Sequence, residues 1–282
     1  MVGERVHAVM LVWRLGPALD PGQLALQYLY CRSSARLSSS FTGIRPSREP
    51  TMTVQKPARQ STRLEAFTDA AFAFSLTLLV IAGDNVPTSF DEFIQALKSI
   101  PAFIASAALL LMFWYGHMRW SQRYCLCDMP TILLTSALVC TVLVFVYPLR
   151  IVFGSLFHWI SGGFFQLPMS GIGLQAINSL FVIYAIGFIA MCSWQALLYQ
   201  HALRKAAELQ LDTADQLEAR LERNSFLLQT LPAWLSLLYL LIVPAQYGPF
   251  SGFFYCLLCV LMPWYGIKAN NLLVNTRQGQ SA

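Results

Sequence analysis

Residues 63–81 read RLEAFTDAAFAFSLTLLVI, an apolar segment that is entered through charged residues. No charge interrupts it between Asp69 and Ile81, so it is suited to a transmembrane helix. Arg63 and Asp69 stand at its mouth, where ionisable groups are costly in lipid and usually serve a function. The alternative is an ion pair within one subunit that only orients the helices.

The composition of the whole chain agrees with a lipid environment. Hydrophobic residues make up 56% of the chain and charged residues 12%, about half of the ~25% that is usual for soluble domains. The charges are clustered and leave long uncharged runs that a water-exposed surface could not carry. The net charge of +5 forms no basic stripe interleaved with aromatics, so no nucleic-acid partner is predicted.

Six stretches are long and apolar enough to cross a bilayer, which takes ~17–25 residues. They are expected at 66–83, 100–116, 128–150 and 171–198, with the last two between 223 and 268. The sequence PAQYGP at 244–249 separates those two, because proline and glycine do not continue a helix there. We therefore predict an all-α membrane protein with six transmembrane helices.

The distribution of positive charge predicts the orientation. With the N-terminus in the cytoplasm, all 19 lysines and arginines except Lys98 and Arg150 lie on the cytoplasmic side, as the positive-inside rule requires. An even number of spans then returns the C-terminus to the cytoplasm.

Domain boundaries follow from the same pattern. Residues 1–60 lack a membrane-length apolar run and are rich in Ser, Arg and Thr towards their end, which is typical of disorder. We predict a disordered extension over 1–60 with Met52 as an alternative start, a six-helix domain over 61–272 and a short tail over 273–282.

Three segments between the spans have patterns of their own. Ser89-x-x-Glu92 is a capping box that opens an amphipathic turn. Residues 151–170 are uncharged and rich in Gly, Phe and Trp, so the segment lies at the membrane interface or re-enters the bilayer. Residues 200–223 alternate acids and bases at helical spacing, which indicates a solvated extension of the fourth span.

The motif at the start of the first span resembles the signature of the endolysosomal potassium channel family, the transmembrane protein 175 type, and its bacterial relatives. That signature is R-x-x-x-F-S-D followed by an apolar helix. Here it reads Arg63, Phe67, Thr68 and Asp69, with threonine replacing serine and keeping the hydroxyl group.

Further matches follow in the same order along the chain. Trp114 and His117 resemble a tryptophan and a histidine of the family at the end of the second span, and DMPTILL at 128–134 and YP at 147–148 continue the similarity. The resemblance covers about residues 63–200.

The resemblance implies a potassium-permeable cation channel that conducts passively through a hydrophobic constriction formed by the first transmembrane helix. Aligned on the motif, the constriction falls at Phe74, Leu78 and Ile81, with Thr77 as the polar neighbour. Phe74 departs from the usual aliphatic residue. No TVGYG carbonyl filter is present in the sequence, but hydrophobic rings can gate by dewetting.

A helical wheel places these residues on one face. At ~100° per residue, Phe67, Phe74, Thr77, Leu78 and Ile81 fall within ~60° of one line, which Arg63 shares. Asp69 points ~140° away, so we expect it to face other helices and to pair with Trp114, His117 or an arginine at the cytoplasmic end. Large aliphatic residues at this spacing also occur in ordinary transmembrane helices, so the stripe alone would not predict a pore.

Three other groups of polar residues are considered for a role in the site. His117 is expected to form a structural hydrogen bond, with proton sensing as the alternative. In the third span, where relatives carry an asparagine, this chain offers only Thr135 or Ser136. The acids Asp84, Asp91 and Glu92 outnumber Lys98 at the outer mouth, where they would concentrate cations or simply solvate a loop.

One copy of the motif and six spans resemble the bacterial form of the family, which implies a homotetramer around the pore in a bacterial inner membrane. A proton-coupled or other secondary transporter is the first alternative, although no second copy of the motif is found. A non-conducting membrane scaffold is the second. The four histidines are dispersed and no G-x-S-x-G occurs, so no enzyme, metal site or cofactor is predicted, and the permeant ion would be potassium.

Overall fold

The computed structural model of the protein describes residues 57–81, 88–165 and 174–280, and these ranges contain helices and turns but no strand. The helices, numbered along the chain, are α1 Pro57–Ile81, α2 Phe90–Lys98, α3 Ile100–Tyr124, α4 Met129–Ile160, α5 Leu174–Arg204, α6 Thr213–Gln229, α7 Leu231–Ile242, a 3-10 helix Ala245–Leu257 and α8 Leu258–Gln280.

Six helical segments of the described chain are long and apolar enough to cross a membrane. They are Arg63–Ile81, Ile100–Tyr124, Met129–Ile160, Gln175–Arg204, Thr213–Ile242 and Gln246–Gln278. The fifth combines α6 and α7, and the sixth combines the 3-10 helix and α8. The all-α fold and the six predicted spans are confirmed.

The third span is longer than its predicted range of 128–150. α4 continues through Arg150 and Gly154 to Ile160 and ends before Gly162 and Gly163, whose positive φ angles of 63° and 95° do not continue a helix. With 32 residues, α4 is about 48 Å long at ~1.5 Å per residue, more than the ~30 Å hydrocarbon core. The first half of the segment 151–170 is therefore helical, and its end, from residue 166, lies outside the described residues.

The prediction that residues 200–223 extend the fourth span into solvent was wrong. α5 ends at Arg204, the chain turns through Gln210 at a φ of 51°, and α6 starts again at Thr213 and packs back against α5. Asp212 starts α6 because its side chain accepts a hydrogen bond of 2.6 Å from the backbone N–H of Asp215. The charge periodicity indicated a helix correctly but gave no sign of this reversal.

The short helix α2 begins with the predicted capping box. The backbone N–H of Glu92 donates to Ser89 Oγ at 3.2 Å, and Glu92 Oε2 accepts from the backbone N–H of Thr88 at 2.7 Å. These hydrogen bonds from Thr88 hold the pKa of Glu92 below its usual value. The carboxylate of Glu92 therefore helps to cap the start of α2.

The break predicted at 244–249 is also present. α7 ends at Ile242, and Pro244 leads into the 3-10 helix Ala245–Leu257. α1 starts at Pro57, ahead of the predicted domain boundary at 61, and α8 runs to Gln280 through most of the predicted tail. Met52 and the extension up to residue 56 lie outside the described residues.

The bundle is built around α4 and α5, which pack against each other along much of their length. The main apolar cluster is buried between α1, α3, α4, α5 and α7, and its largest members include Phe72, Leu110, Phe113, Phe145 and Phe188. Aromatic rings pack edge to face within this cluster. The ring centroids of Phe113 and Phe188, for example, lie 5.9 Å apart. α1 contributes Phe72 and Leu79 and packs on α3 and α4.

A second cluster gathers at the C-terminal ends of α3 and α5 and on α6. It includes Trp120, Tyr124, Tyr199 and Phe226. Hydrogen bonds across the helices supplement the packing, because polar groups in lipid must be satisfied internally. Gln195 Nε2 donates to the carbonyl oxygen of Phe113 at 2.9 Å.

A glycine gives a test of the central packing. A methyl group at Gly187 in α5 would overlap the ring of the buried Phe145. Gly187→Ala should therefore lower the free energy of unfolding by about 1–3 kcal/mol, the usual cost of overpacking. Thermal unfolding of the protein in detergent measures this loss.

Gly266→Ala is the matched control, because nothing lies within 4 Å of a methyl group at Gly266 in α8. It should leave the melting temperature unchanged or raise it, since alanine is the better helix former. Equal melting temperatures for the two variants would mean that α4 and α5 are not packed as described.

Candidate functional site

Helix α1 has one face that is buried against the rest of the chain. Thr68, Phe72, Ser75 and Leu79 lie on this face, at the three- and four-residue spacing of one helical stripe, and all are at most 4% exposed. Their two hydroxyl groups are satisfied within α1, since Thr68 Oγ1 donates to Leu64 O at 2.9 Å and Ser75 Oγ to Ala71 O at 2.8 Å. Thr68 of the motif therefore packs inward without leaving an unpaired donor.

The opposite face of α1 is exposed in the subunit and carries the predicted constriction residues. Phe74 is 55% and Ile81 is 67% exposed, and Thr77 lies between them with its hydroxyl donating to Ala73 O at 3.3 Å. Leu78 differs, because it is half-buried and packs against the main cluster at the edge of this face. The four residues therefore share one side of α1, with Leu78 at its border.

Two motif residues continue this exposed face towards the start of the helix. Arg63 and Phe67 are exposed, and Phe67 keeps 54% of its surface. The structure shows no ion pair for Arg63 within the part of the chain that it describes. An ion pair between Arg63 and Asp69 is thus not the contact that orients α1.

Asp69 makes one of its predicted contacts. Trp114 Nε1 in α3 donates a hydrogen bond of 2.7 Å to Asp69 Oδ1. Because the donor is a neutral indole and the acceptor a carboxylate, this is a charge-assisted bond, stronger than one between neutral groups. It fixes the middle of α1 to α3, on the side of the helix that the wheel predicted.

His117 contacts Thr135 and not Asp69. It is buried, and its Nε2 lies 3.2 Å from Thr135 Oγ1 in α4, within hydrogen-bond distance. Thr135, one of the two polar residues considered for the third span, thus supplies a polar contact there. This geometry fits the structural role of His117 between α3 and α4.

The predicted acids at the outer mouth are partly described. Asp91 and Glu92 are exposed in the first turn of α2. Asp84 lies outside the described residues. The structure therefore places two of the three acids together at the beginning of one helix.

The sequence analysis missed the role of Arg150. It is 8% exposed, and its guanidinium donates to the backbone carbonyls of Leu79 and Val80 at the end of α1 and to Ser99 Oγ before α3. The available signal was a single arginine within an otherwise uncharged apolar run. Such residues in spans usually have a specific partner.

A buried carboxylate at the other end of the bundle was missed as well. Glu218 in α6 is buried and accepts hydrogen bonds from Arg123 in α3 and, at 3.2 Å, from Arg277 in α8. Arg119 lies 3.9 Å from the same carboxylate. A buried charge is tolerated when it is paired in this way. Glu218 therefore joins α6 to α3 and α8.

Asp128 caps the start of α4 and is the centre of another cluster of charged residues. Its carboxylate accepts from Thr131 Oγ1 at 2.5 Å, and lies 2.7 Å from His201 Nε2 and 3.1 Å from Lys205 Nζ. Partial burial raises the pKa of Asp128, but these hydrogen bonds outweigh burial and hold the pKa well below its usual value. The group ties the C-terminal end of α5 to the start of α4.

The bond between Asp69 and Trp114 can be tested by a double-mutant cycle. We expect Trp114→Phe to lower the free energy of unfolding in the parent by about 1–2 kcal/mol more than it does in an Asp69→Ala background, because only the parent loses the bond. Thermal unfolding in detergent measures each of the four proteins.

Trp120→Phe is the control, since Trp120 Nε1 has no hydrogen-bond partner in the described structure. Trp120→Phe should lower the free energy of unfolding by the same amount in the parent and in the Asp69→Ala background. A zero coupling energy for Trp114→Phe would show that the indole does not hold Asp69.

Comparisons with known proteins agree with this architecture. A family model described as "Endosomal/lysosomal potassium channel TMEM175" matches residues 63–148, from the Arg63 motif into α4. A potassium channel of Marivirga tractuosa is 30% identical over 223 residues, which is 74% of this chain and 87% of the relative.

A solved structure shows the same fold. The crystal structure of a variant of the potassium channel MtTMEM175, in complex with a nanobody-MBP fusion protein, matches with a TM-score of 0.63 and 26% identity, covering 82% of this chain and 100% of that chain. The family match, the relative and the six apolar helices together lead to one assignment: the chain is an integral membrane protein that belongs to the endosomal/lysosomal potassium channel family, TMEM175.

Proposed function

We propose that this chain forms a homotetrameric, potassium-permeable cation channel in which α1 of every subunit lines a central pore. Ions cross it passively through a hydrophobic constriction of Phe74, Leu78 and Ile81, with Thr77 as the polar neighbour. The observation that carries the proposal is the exposed face of α1, which has no partner helix within the described part of its own subunit.

The composition of this face favours contact with other subunits over contact with lipid. Ala66, Ala70 and Ala73 are exposed on it or beside it. Small residues in spans let neighbouring backbones approach closely, whereas lipid-facing surfaces gain nothing from them. α8, by contrast, exposes large side chains such as Val260, Trp264 and Ile267.

The charge on this face also favours contact with other subunits over contact with lipid. Arg63 lies in line with Phe67 and Phe74 at the start of α1. An arginine is expensive on a surface that faces hydrocarbon but acceptable beside a water-filled passage. A shared axis that holds water at the level of Arg63 satisfies both the arginine and the apolar residues beyond it.

The constriction would consist of side chains of unequal reach. Phe74 and Ile81 are exposed over more than half of their surface, while Leu78 is partly packed against the core of its own subunit. Rings of such side chains can stop ions by dewetting when they are narrow and pass them when they widen. Potassium as the permeant ion is supported by the relatives, which are named potassium channels.

The positive-inside pattern and a bacterial relative support cytoplasmic termini in a bacterial inner membrane. In this orientation α2, with Asp91 and Glu92, lies on the outer side, where exposed carboxylates raise the local concentration of cations. The end of α1 at Ile81 faces the same side.

Cross-linking tests whether α1 helices meet on one axis. In a protein whose native cysteines are replaced by serine, we expect Phe74→Cys to form covalent dimers on mild oxidation, because the exposed position 74 faces its copy in another subunit. Denaturing gels show the dimers, and light scattering in detergent should give the mass of four subunits.

Phe72→Cys is the matched control, since it changes the same residue type two positions away on the buried face, where Phe72 is 4% exposed. It should remain monomeric on the gel. Dimers from position 72 and none from position 74 would place the exposed face towards lipid and overturn the proposed pore.

Ion flux tests the constriction. Ile81→Ala should lower the permeability ratio of potassium over sodium under bi-ionic conditions, because a wider ring discriminates less between ions. Leu78→Ala should do the same to a smaller extent, since Leu78 is half-buried. Single-channel recording in planar bilayers gives the ratios.

Val80→Ala is the control for the loss of an exposed aliphatic residue, because Val80 is 57% exposed but lies off the predicted pore line. It should leave the ratio unchanged. Flux that saturates with alternating-access kinetics would indicate a carrier, and electrically silent protein would indicate a scaffold.

A further inference from the structure

The buried arginine of α4 has a specific relation to the proposed pore helix. Arg150 lies within a long apolar helix, and its side chain is turned towards the end of α1, away from solvent. A cation inside a membrane bundle needs partners that compensate for lost hydration. Here the partners include backbone carbonyls of another helix.

Two hydrogen bonds of Arg150 go to the last turn of α1. Its Nη1 donates to the carbonyl oxygen of Leu79 and, at 3.4 Å, to that of Val80. Its Nη2 donates to Ser99 Oγ at 3.3 Å, just before α3. One planar guanidinium therefore joins the ends of α1 and α3 to the middle of α4.

This position suits both the geometry and the charge of an arginine. The last four carbonyls of a helix have no partner within the helix, and they carry the negative end of its dipole. A guanidinium offers five donors in a rigid fork, so it can hold several such acceptors at fixed angles.

The carbonyls that Arg150 binds belong to residues next to the proposed constriction. Leu79 is completely buried against the core, whereas Ile81, two residues later, projects from the opposite face with 67% of its surface exposed. Because a helical turn is stiff, the position of the backbone at Leu79 and Val80 determines where the side chain of Ile81 stands.

The middle of α1 is held separately, by the bond from Trp114 to Asp69. About ten residues, or roughly 15 Å of helix, separate the two attachments. Loss of the hydrogen bonds from Arg150 would therefore release the end of α1 that carries Ile81. The part of α1 around Asp69 would stay in place.

We propose that Arg150 is a positioning residue for ion selectivity, which holds the last turn of α1 so that the Ile81 side chains of the subunits form a ring of fixed width. This inference rests on the proposed function, in which α1 lines the pore. The effect depends on the donors of the guanidinium and not merely on one positive charge near the outer mouth.

Hydrogen–deuterium exchange tests the attachment without relying on conduction. In Arg150→Met, the amides at the end of α1 up to Ile81 should exchange roughly tenfold faster than in the parent, as expected when charge-assisted hydrogen bonds that cap a helix are lost. Exchange in the middle of α5 should not change.

Bi-ionic recordings test the effect on selectivity in the same variants. Arg150→Met should lower the permeability ratio of potassium over sodium, and Arg150→Lys, which keeps a charge and some donors, should restore part of both the protection and the ratio. Lys98→Gln is the charge control, since it removes a positive charge near the same end of the bundle, where Lys98 lies over the ring of Phe164. It should change neither quantity.

Several outcomes would overturn the inference. Unchanged exchange at the end of α1 in Arg150→Met would show that Arg150 does not hold this turn. A change in permeability ratio shared with Lys98→Gln would indicate an effect of charge alone, and faster exchange throughout the bundle with an unchanged ratio would indicate a purely structural role.

The two proposals fail in different ways. If the parent protein carries no current, the pore is wrong, yet the exchange experiment still decides whether Arg150 holds α1. If Arg150→Met does not fold, Arg150→Lys and Ser99→Ala keep the test open, because each should produce a smaller local increase in exchange at the same turn. No increase in either would contradict the attachment.

Discussion

Helix α1 is attached to the rest of the chain by a narrow face and by polar bonds at its middle and at its last turn, and the rest of the arrangement depends on this constraint. Lipid gives no hydrophobic force that drives helices together, so packing and hydrogen bonds must fix each span. Phe72 and Leu79 supply the packing, Trp114 holds Asp69, and Arg150 holds the last turn. The opposite face, with Phe74 and Ile81, stays exposed.

The attachments of α1 belong to a larger set of polar contacts between spans. His117 and Thr135 connect α3 to α4, and Gln195 connects α5 to α3 through the carbonyl of Phe113. Each pairs groups that would otherwise be unsatisfied in an apolar medium, where an unmade hydrogen bond is costly. These contacts fix α3, α4 and α5 to one another behind α1.

Charges are concentrated at the end of the bundle opposite to Arg150. Glu218 is surrounded by arginines from α3 and α8, and Asp128 binds the end of α5 through His201 and Lys205. Removal of a partner from the buried Glu218 is expected to be strongly destabilising, because it leaves an uncompensated charge. These groups define how the later helices assemble around α4 and α5, and they leave α1 outside the network.

The amino-acid sequence by itself determined the membrane class, the six spans, the capping box at Ser89 and the relation between Asp69 and the stripe of Phe74 and Ile81. These follow from local rules, since hydropathy and helical periodicity depend only on neighbouring residues. The reversal before Asp212, the burial of Glu218 and the contact of Arg150 with Leu79 were decided only by the tertiary structure. They join residues from distant parts of the chain, and no local pattern specifies which helix a long charged side chain will reach.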